Sequence, residues 1–167
     1  MGNFIFIEGA NEIQITPSLA IDNVDSSAVF PVGTKCVYKD DDGNLGTYVY
    51  VEGVASTAQY DFVLIDSDYS IIRITKAEAD KKRVKGGVAQ AAIVANKYGW
   101  VQIEGKGKVK VLANCAKEVQ LYTCATTGSL DDDSTSQTAV YGIVLTTDCG
   151  GSAAATDCFM SYPTTNA

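Results

Sequence analysis

The residue types that usually carry chemistry are sparsely supplied. The chain has no histidine. That removes Ser-His and Cys-His nucleophile pairs, imidazole acid–base chemistry and every histidine-containing zinc or iron site. Lysine can serve as the base beside a serine, but no S-x-x-K occurs. Five cysteines stand at 36, 115, 124, 149 and 158, without a C-x-x-C pair. The odd count and the spacing argue against a disulfide framework or a zinc ribbon. Without a partner base the thiols offer no nucleophile. They are expected to act as small buried hydrophobes in a reducing compartment. The nine-residue interval shared by Cys115/Cys124 and Cys149/Cys158 would place each pair across a hairpin. Paired carboxylates occur as Asp66/Asp68 and as Asp131-Asp132-Asp133. In Gly- and Ser-rich loops such acids are expected to be solvated, holding at most a weak divalent ion. Asp40-Asp41-Asp42-Gly43-Asn44 has the look of a calcium loop, but Tyr38 falls where that register needs an oxygen ligand. It reads instead as a hairpin turn. There is no G-x-G-x-x-G and no G-x-x-x-x-G-K-[ST], and Gly105-Lys106-Gly107 is too short to cradle a phosphate. The sequence therefore predicts no catalytic residue, no cofactor and no metal site.

The elements that would position any functional residue are β-strands. The 167 residues and 17.7 kDa fit about one domain, large enough to bury about two-thirds of its unfolded surface unaided. Hydrophobic residues at 46% and charged residues at 20% are those of an ordinary folded protein. No apolar run approaches the roughly 18 residues of a membrane span, so no membrane partner is expected. The start, Met1 to Glu8, lacks a basic n-region and does not read as a secretory signal; Phe6 stands where a myristoylation motif wants Ser or Thr. Phe4 to Ile7 is a short apolar run, and Glu12 to Thr16 alternates before Pro17. Breakers follow from Pro17 to Gly33. Residues 1–30 thus read as an extended N-terminal arm with short strands, and 31–167 as a single β-rich domain.

Within that domain, strand patterns run from Thr34 to Lys39, Leu45 to Glu52, Gln59 to Ile65, Ser70 to Thr75, Val119 to Cys124, Ala139 to Thr146 and Cys158 to Tyr162. From Val101 to Val111 odd positions are apolar or glycine, and even positions are Gln102, Glu104, Lys106, Lys108 and Lys110. This is one apolar and one wet face, with Gly105 and Gly107 bending or bulging the strand. Thr75-Lys76-Ala77-Glu78 has capping-box spacing, predicting one short helix over about 76–83, ended by Gly86-Gly87. The expected fold is all-β, a sandwich or barrel of short antiparallel strands with that one helix.

Charge narrows the partners. The net charge of −7 disfavours binding to a phosphate backbone, so no nucleic acid is expected. Lys76 to Lys117 holds ten basic residues against three acids, +7, while the remainder holds three against seventeen, −14. Either the basic residues are simply solvated, or they form a face that meets an acidic partner or the acidic face of a neighbouring copy. Tyr98-Gly99-Trp100 is the densest aromatic spot, suited to a core or an interface anchor.

One family resemblance enters through the C-terminal half. Gly87-Val88-Ala89-Gln90-Ala91-Ala92 runs into Tyr98-Gly99-Trp100-Val101-Gln102-Ile103-Glu104-Gly105, followed by Val109-Lys110-Val111, Val119-Gln120-Leu121-Tyr122, Gly128-Ser129-Leu130-Asp131-Asp132 and Tyr141-Gly142-Ile143-Val144-Leu145. This order resembles the small capsid decoration, or cement, proteins of tailed bacteriophages, over roughly residues 86–162. Residues 1–75 carry no resemblance. The resemblance implies a structural head protein, not an enzyme, made in the host cytoplasm and placed on the outer capsid surface of the virion. Its partners would be the major capsid protein and itself, often as a homotrimer. The arm, through Phe4, Ile5, Phe6, Ile7, Ile13 and Ile15, would add a strand to a neighbour's sheet edge. Tyr98, Trp100, Lys106, Lys108 and Lys110 complete the candidate interface, and many weak contacts would add through avidity. The alternative is a surface-displayed β-sandwich binding a carbohydrate or host receptor through Tyr98, Trp100 and Asn96. A histidine-free glycosidase would need two carboxyls about 5–10 Å apart across a cleft.

Overall fold

The computed structural model describes residues 20–40, 43–81 and 85–165, with the backbone of Asn3–Ile5. Eleven strands and one helical turn and a half appear in the order β1 (Asn3–Ile5), β2 (Lys35–Lys39), β3 (Leu45–Gly53), β4 (Phe62–Ile65), β5 (Ser70–Arg73), α1 (Lys76–Lys81), β6 (Lys85–Ala89), β7 (Tyr98–Val111), β8 (Leu121–Thr123), β9 (Leu130–Asp131), β10 (Ala139–Leu145) and β11 (Ala154–Thr164). The fold is all-β, as the alternating pattern predicts.

The 14-residue β7 organises everything else. Its first half pairs with β3 on one side and β6 on the other, and its second half pairs with β11. Two closed circuits result. The first runs β3–β5–β4–β6–β7 and encloses Val49, Val51, Val63, Ile65, Ile71, Ala89, Ile93, Val101 and Ile103. The second runs β7–β11–β10–β8–β9. Val109, Val111, Leu121, Leu130, Val140, Leu145 and Met160 pack in its core. Closure leaves few free strand edges, which removes the hazard that exposed edges carry. Two pairings, β3–β5 and β7–β9, are parallel, against an expectation of antiparallel strands throughout. Each follows a hairpin that reverses the chain and brings it back alongside the shared frame.

Other boundaries move for local reasons. The last strand begins at Ala154 and not at Cys158, because Ala154 to Asp157 pair along Val111 to Lys108. A two-residue strand, β9, lies inside the expected acidic loop. The helix follows the capping box, with Thr75 Oγ1 accepting the Glu78 amide at 3.2 Å, but its assigned residues end at Lys81. Gly86 and Gly87 do not stop it; they lie within β6. A Cβ on Gly86 would meet the Phe62 ring at 2.4 Å, so close packing explains a residue there without a side chain.

Part of the expected arm lies on the body. Asp25 and Tyr98 exchange both backbone hydrogen bonds, at 2.8 and 3.0 Å. Phe30 packs on Tyr50 and Trp100 with ring centroids 5.4 and 5.5 Å apart. Tyr50, fully buried, donates its hydroxyl to Asp25 Oδ2 at 2.6 Å. Further back, β1 pairs antiparallel with β2, Asn3 to Lys39 and Ile5 to Val37. Phe6, Ile7, Ile13 and Ile15 lie outside the described residues.

Candidate functional site: an open sheet face

Where β3 meets β7 the ladder slips. Thr47 pairs with Glu104 and Tyr48 with Gln102, leaving Ile103 as an extra residue. A bulge of this kind re-aims the side chains that follow. Before it, the even positions Trp100 and Gln102 are 2% and 1% exposed. After it, Glu104 and Lys110 are half-buried and Lys106 and Lys108 exposed. The single wet face read from Val101 to Val111 therefore begins only at Glu104. Buried Gln102 serves the bulge, its Nε2 donating to the carbonyls of Glu104 (3.2 Å) and Lys106 (2.7 Å). Gly105 takes φ +95, and a Cβ there would meet the Leu45 carbonyl at 2.3 Å, so the bulge requires glycine.

Beyond the bulge a row crosses five strands. Lys39 pairs with Leu45, and Gly46 pairs with Gly105, which sets Leu45 level with Lys106 one step further on. Lys106 pairs with Phe159, and Phe159 with Val144. Leu45 is 55% and Phe159 46% exposed. A second irregularity, between Tyr141 and Ile143 on β10, lies beside Tyr162, which takes a left-handed conformation (φ +49) and is 47% exposed. Burial, and then the Glu104 carboxylate, raise the pKa of its hydroxyl. Thr47 Oγ1 donates to the same carboxylate at 2.8 Å. Leu45, Phe159 and Tyr162 carry the exposed apolar area here, and sequence reasoning passed over all three. The alternation Asp157, Cys158, Phe159, Met160, Ser161 held the signal for Phe159.

The predicted site residues separate. Lys106 and Lys108 share the open face. Lys108 pairs with Asp157 at 3.6 Å. Lys110 reaches Asp61, which is 2% exposed and also accepts the Ala58 amide, with Arg73 at 3.7 Å. Lys117 pairs with Asp148 at 3.9 Å. Much of the +7 segment is thus answered by acids of the same chain. Among the described residues Lys39 and Lys106 make no ion pair. Trp100 is a core anchor, 5.0 Å from the Tyr50 ring, and Tyr98 stacks half-buried on the other side at 6.2 Å. With 2% exposure Trp100 offers no free ring face for a sugar. Phe4 and Ile5 stand in β1 at the far edge of the sheet.

All five cysteines are free and buried. The nine-residue pairs do not meet as hairpin partners; instead the Cys149 amide donates to the Cys115 carbonyl at 2.9 Å. Burial pushes the thiols of Cys36, Cys115 and Cys158 up to about 12, so they stay protonated and inert. Cys115, Asp131 and Asp132 bring one donor each within 4.8 Å. Chain groups already engage them: Asp132 Oδ2 accepts the Ala116 amide and Asp131 Oδ1 the Asp132 amide. Burial raises the Asp131 pKa, against the lowering effect of the hydrogen bond from the Asp132 amide. Comparison with family models, curated proteins and solved structures returned no match.

Proposed function

We propose that this chain is a structural, non-catalytic protein that decorates the outer surface of a tailed-phage capsid and bridges neighbouring major capsid protein subunits, assembling as a homotrimer. The observation that carries the reading is the open face on β3, β7 and β11, where Leu45, Phe159 and Tyr162 stand exposed on a rigid, doubly closed β frame. Exposed apolar residues grouped on one rigid surface suit docking. The resemblance to decoration proteins supports the same reading, since it runs from β6 through β10 and most of β11. Main-chain pairing by the N-terminal segment, seen here between β1 and β2, is the kind of contact that adds a strand to a neighbour's edge. Catalysis has no place in this reading, because the thiols are buried and the acids occupy turns and ion pairs. The test is thermal: undecorated heads mixed with the protein should release their DNA at a higher temperature than heads alone. An unchanged release temperature at saturating protein refutes the reading.

A further inference from the structure

Two cysteines from distant parts of the chain lie side by side at one end of the second circuit. The Cys149 amide donates to the Cys115 carbonyl at 2.9 Å, and beside it the Asn114 amide donates to the Gly150 carbonyl, also at 2.9 Å. A carbonyl oxygen sits about 2.4 Å from its own Cα and an amide nitrogen about 1.5 Å from its own, so the first bond keeps the two Cα atoms within roughly 6.8 Å. A disulfide spans about 4.4–6.8 Å between Cα atoms. Both side chains are buried in one core cluster with Val111, Leu121, Leu130 and Leu145, and both thiols are free. Cys158 shares the cluster, but its strand neighbours are Gly107 and Leu145. Burial, then Asp132 and Asp131, oppose ionisation of the Cys115 thiol, and Cys149 is near enough to add to them. The two cysteines differ in access to solvent. Cys115 is fully buried. Cys149 is 6% exposed and is the one buried residue in an exposed stretch from 146 to 154. Its thiol donates to the Ser152 carbonyl at 3.4 Å. Gly150 and Gly151 next to it have open space where a Cβ would stand.

We propose that Cys115 and Cys149 are a latent disulfide, open in a reducing compartment and closed in the folded protein by a small disulfide such as oxidised glutathione. The Cys149 thiolate opens the S–S bond of the reagent, forms a mixed disulfide and expels one small thiolate, which takes up the proton that Cys149 gave. Cys115 then loses its proton and attacks the Cys149 sulfur. The Cys115–Cys149 bond forms, the mixed disulfide breaks, and the second small thiol leaves with that proton. Two protein thiols are oxidised and one small disulfide is reduced to two thiols. The second step is the slow one, because Asp131 and Asp132 lie against Cys115 and oppose the thiolate that must attack. Under a cytosolic glutathione poise the pair stays a dithiol, and in an oxidising setting the bond closes. It joins the loop after β7 to the β10–β11 connection and encloses β8, β9 and β10 in a covalent loop of about 35 residues. The proposal stands independently of the capsid reading.

The experiment exposes the reduced, folded full chain to oxidised glutathione at about pH 8.5 and reads intact mass, peptide map and Tm. The expected product has lost two hydrogens, about 2 Da. Its digest should hold the Cys115 and Cys149 peptides as one linked pair that reductant separates. The closed loop should raise Tm by roughly 8–15 °C over the reduced chain. Cys124→Ser should cross-link like wild type. Cys149→Ser should lose both the link and the gain in Tm. Cys115→Ser should stop at a single glutathione adduct on Cys149. Circular dichroism checks that the variants fold, and the wild-type result needs none of them. A wild type that keeps all five thiols after prolonged oxidation overturns the proposal. So does a link that forms only in denaturant, a link from either cysteine to another one, a linked chain that melts like the reduced one, or a Cys115→Ser protein whose Cys149 stays unmodified.

Discussion

Asp61 is the carboxylate whose removal should cost the most. It opens onto β4 with 2% exposure and gathers Lys110 of β7 at 2.7 Å, Arg73 of β5 at 3.7 Å and the Ala58 amide at 2.8 Å. It thereby ties the frame strand to the β4–β5 hairpin. Breaking a fully buried pair costs about 3–5 kcal/mol. Here the side chains of Lys110 and Arg73 are 35% and 36% exposed, so both cations regain water and the figure must be reduced. The remaining loss is a charge-assisted hydrogen bond and an amide left without its acceptor, each about 1–3 kcal/mol. Asp61→Ala should lose about 3 kcal/mol, and Asp61→Asn, which still accepts from Ala58, about half of that. For a chain of this length each kcal/mol moves Tm by roughly 2–4 °C, giving a fall of roughly 6–12 °C for the alanine variant. Calorimetry and urea unfolding read both values. A double-mutant cycle with Lys110→Met isolates the pair, since Lys110→Met removes the near cation while leaving Asp61 buried. An Asp61→Ala loss below about 1 kcal/mol would refute the assignment of Asp61 as a structural hub.

Three further outcomes are expected. Because the Cys36, Cys115 and Cys158 thiols titrate near 12 in the fold against 9.0 ordinarily, the folded state holds protons that the unfolded chain releases. Their contribution to stability is intact below pH 9 and lost between pH 9 and about 12, so Tm should fall across that range, and at pH 8 alkylation should reach these thiols only on unfolding. Gly105→Ala should destabilise by about 1–3 kcal/mol, since φ +95 strains any side chain and the Leu45 carbonyl blocks it; Gly150→Ala, with nothing within 4 Å, should be near neutral in the same urea titration. Tyr50→Phe removes the donor to Asp25 and should cost about 1 kcal/mol, with faster amide exchange confined to residues 20–30 and their partner Tyr98.

What was legible in the sequence was local. The Asp40 to Asn44 turn is written in adjacent residues, and the fold closes it with the Asp40 and Gly43 amides bonding to the Asn44 and Asp40 carbonyls. The Thr75–Glu78 cap is legible for the same reason. What was hidden depends on residues far apart in the chain. Gly86-Gly87 reads as a helix stop until Phe62, more than twenty residues earlier, is known to press on it. The basic segment reads as an unanswered charge until Asp61 and Asp157 arrive beside Lys110 and Lys108. The bulge at Ile103 shifts the register of β3 against β7 by one residue, which no periodicity within β7 announces. The apolar part of the open face escaped notice because Leu45 comes from β3 and Phe159 and Tyr162 from β11, and none is unusual alone.

Binding to undecorated phage heads tests the proposed capsid-binding role most directly. Mixed with such heads and sedimented, the protein should saturate at a fixed number of copies per head, and Phe159→Ser together with Leu45→Ser should lower that occupancy while leaving the fold intact. A chain that stays in the supernatant at every concentration, with the heads pelleting bare, would contradict the account.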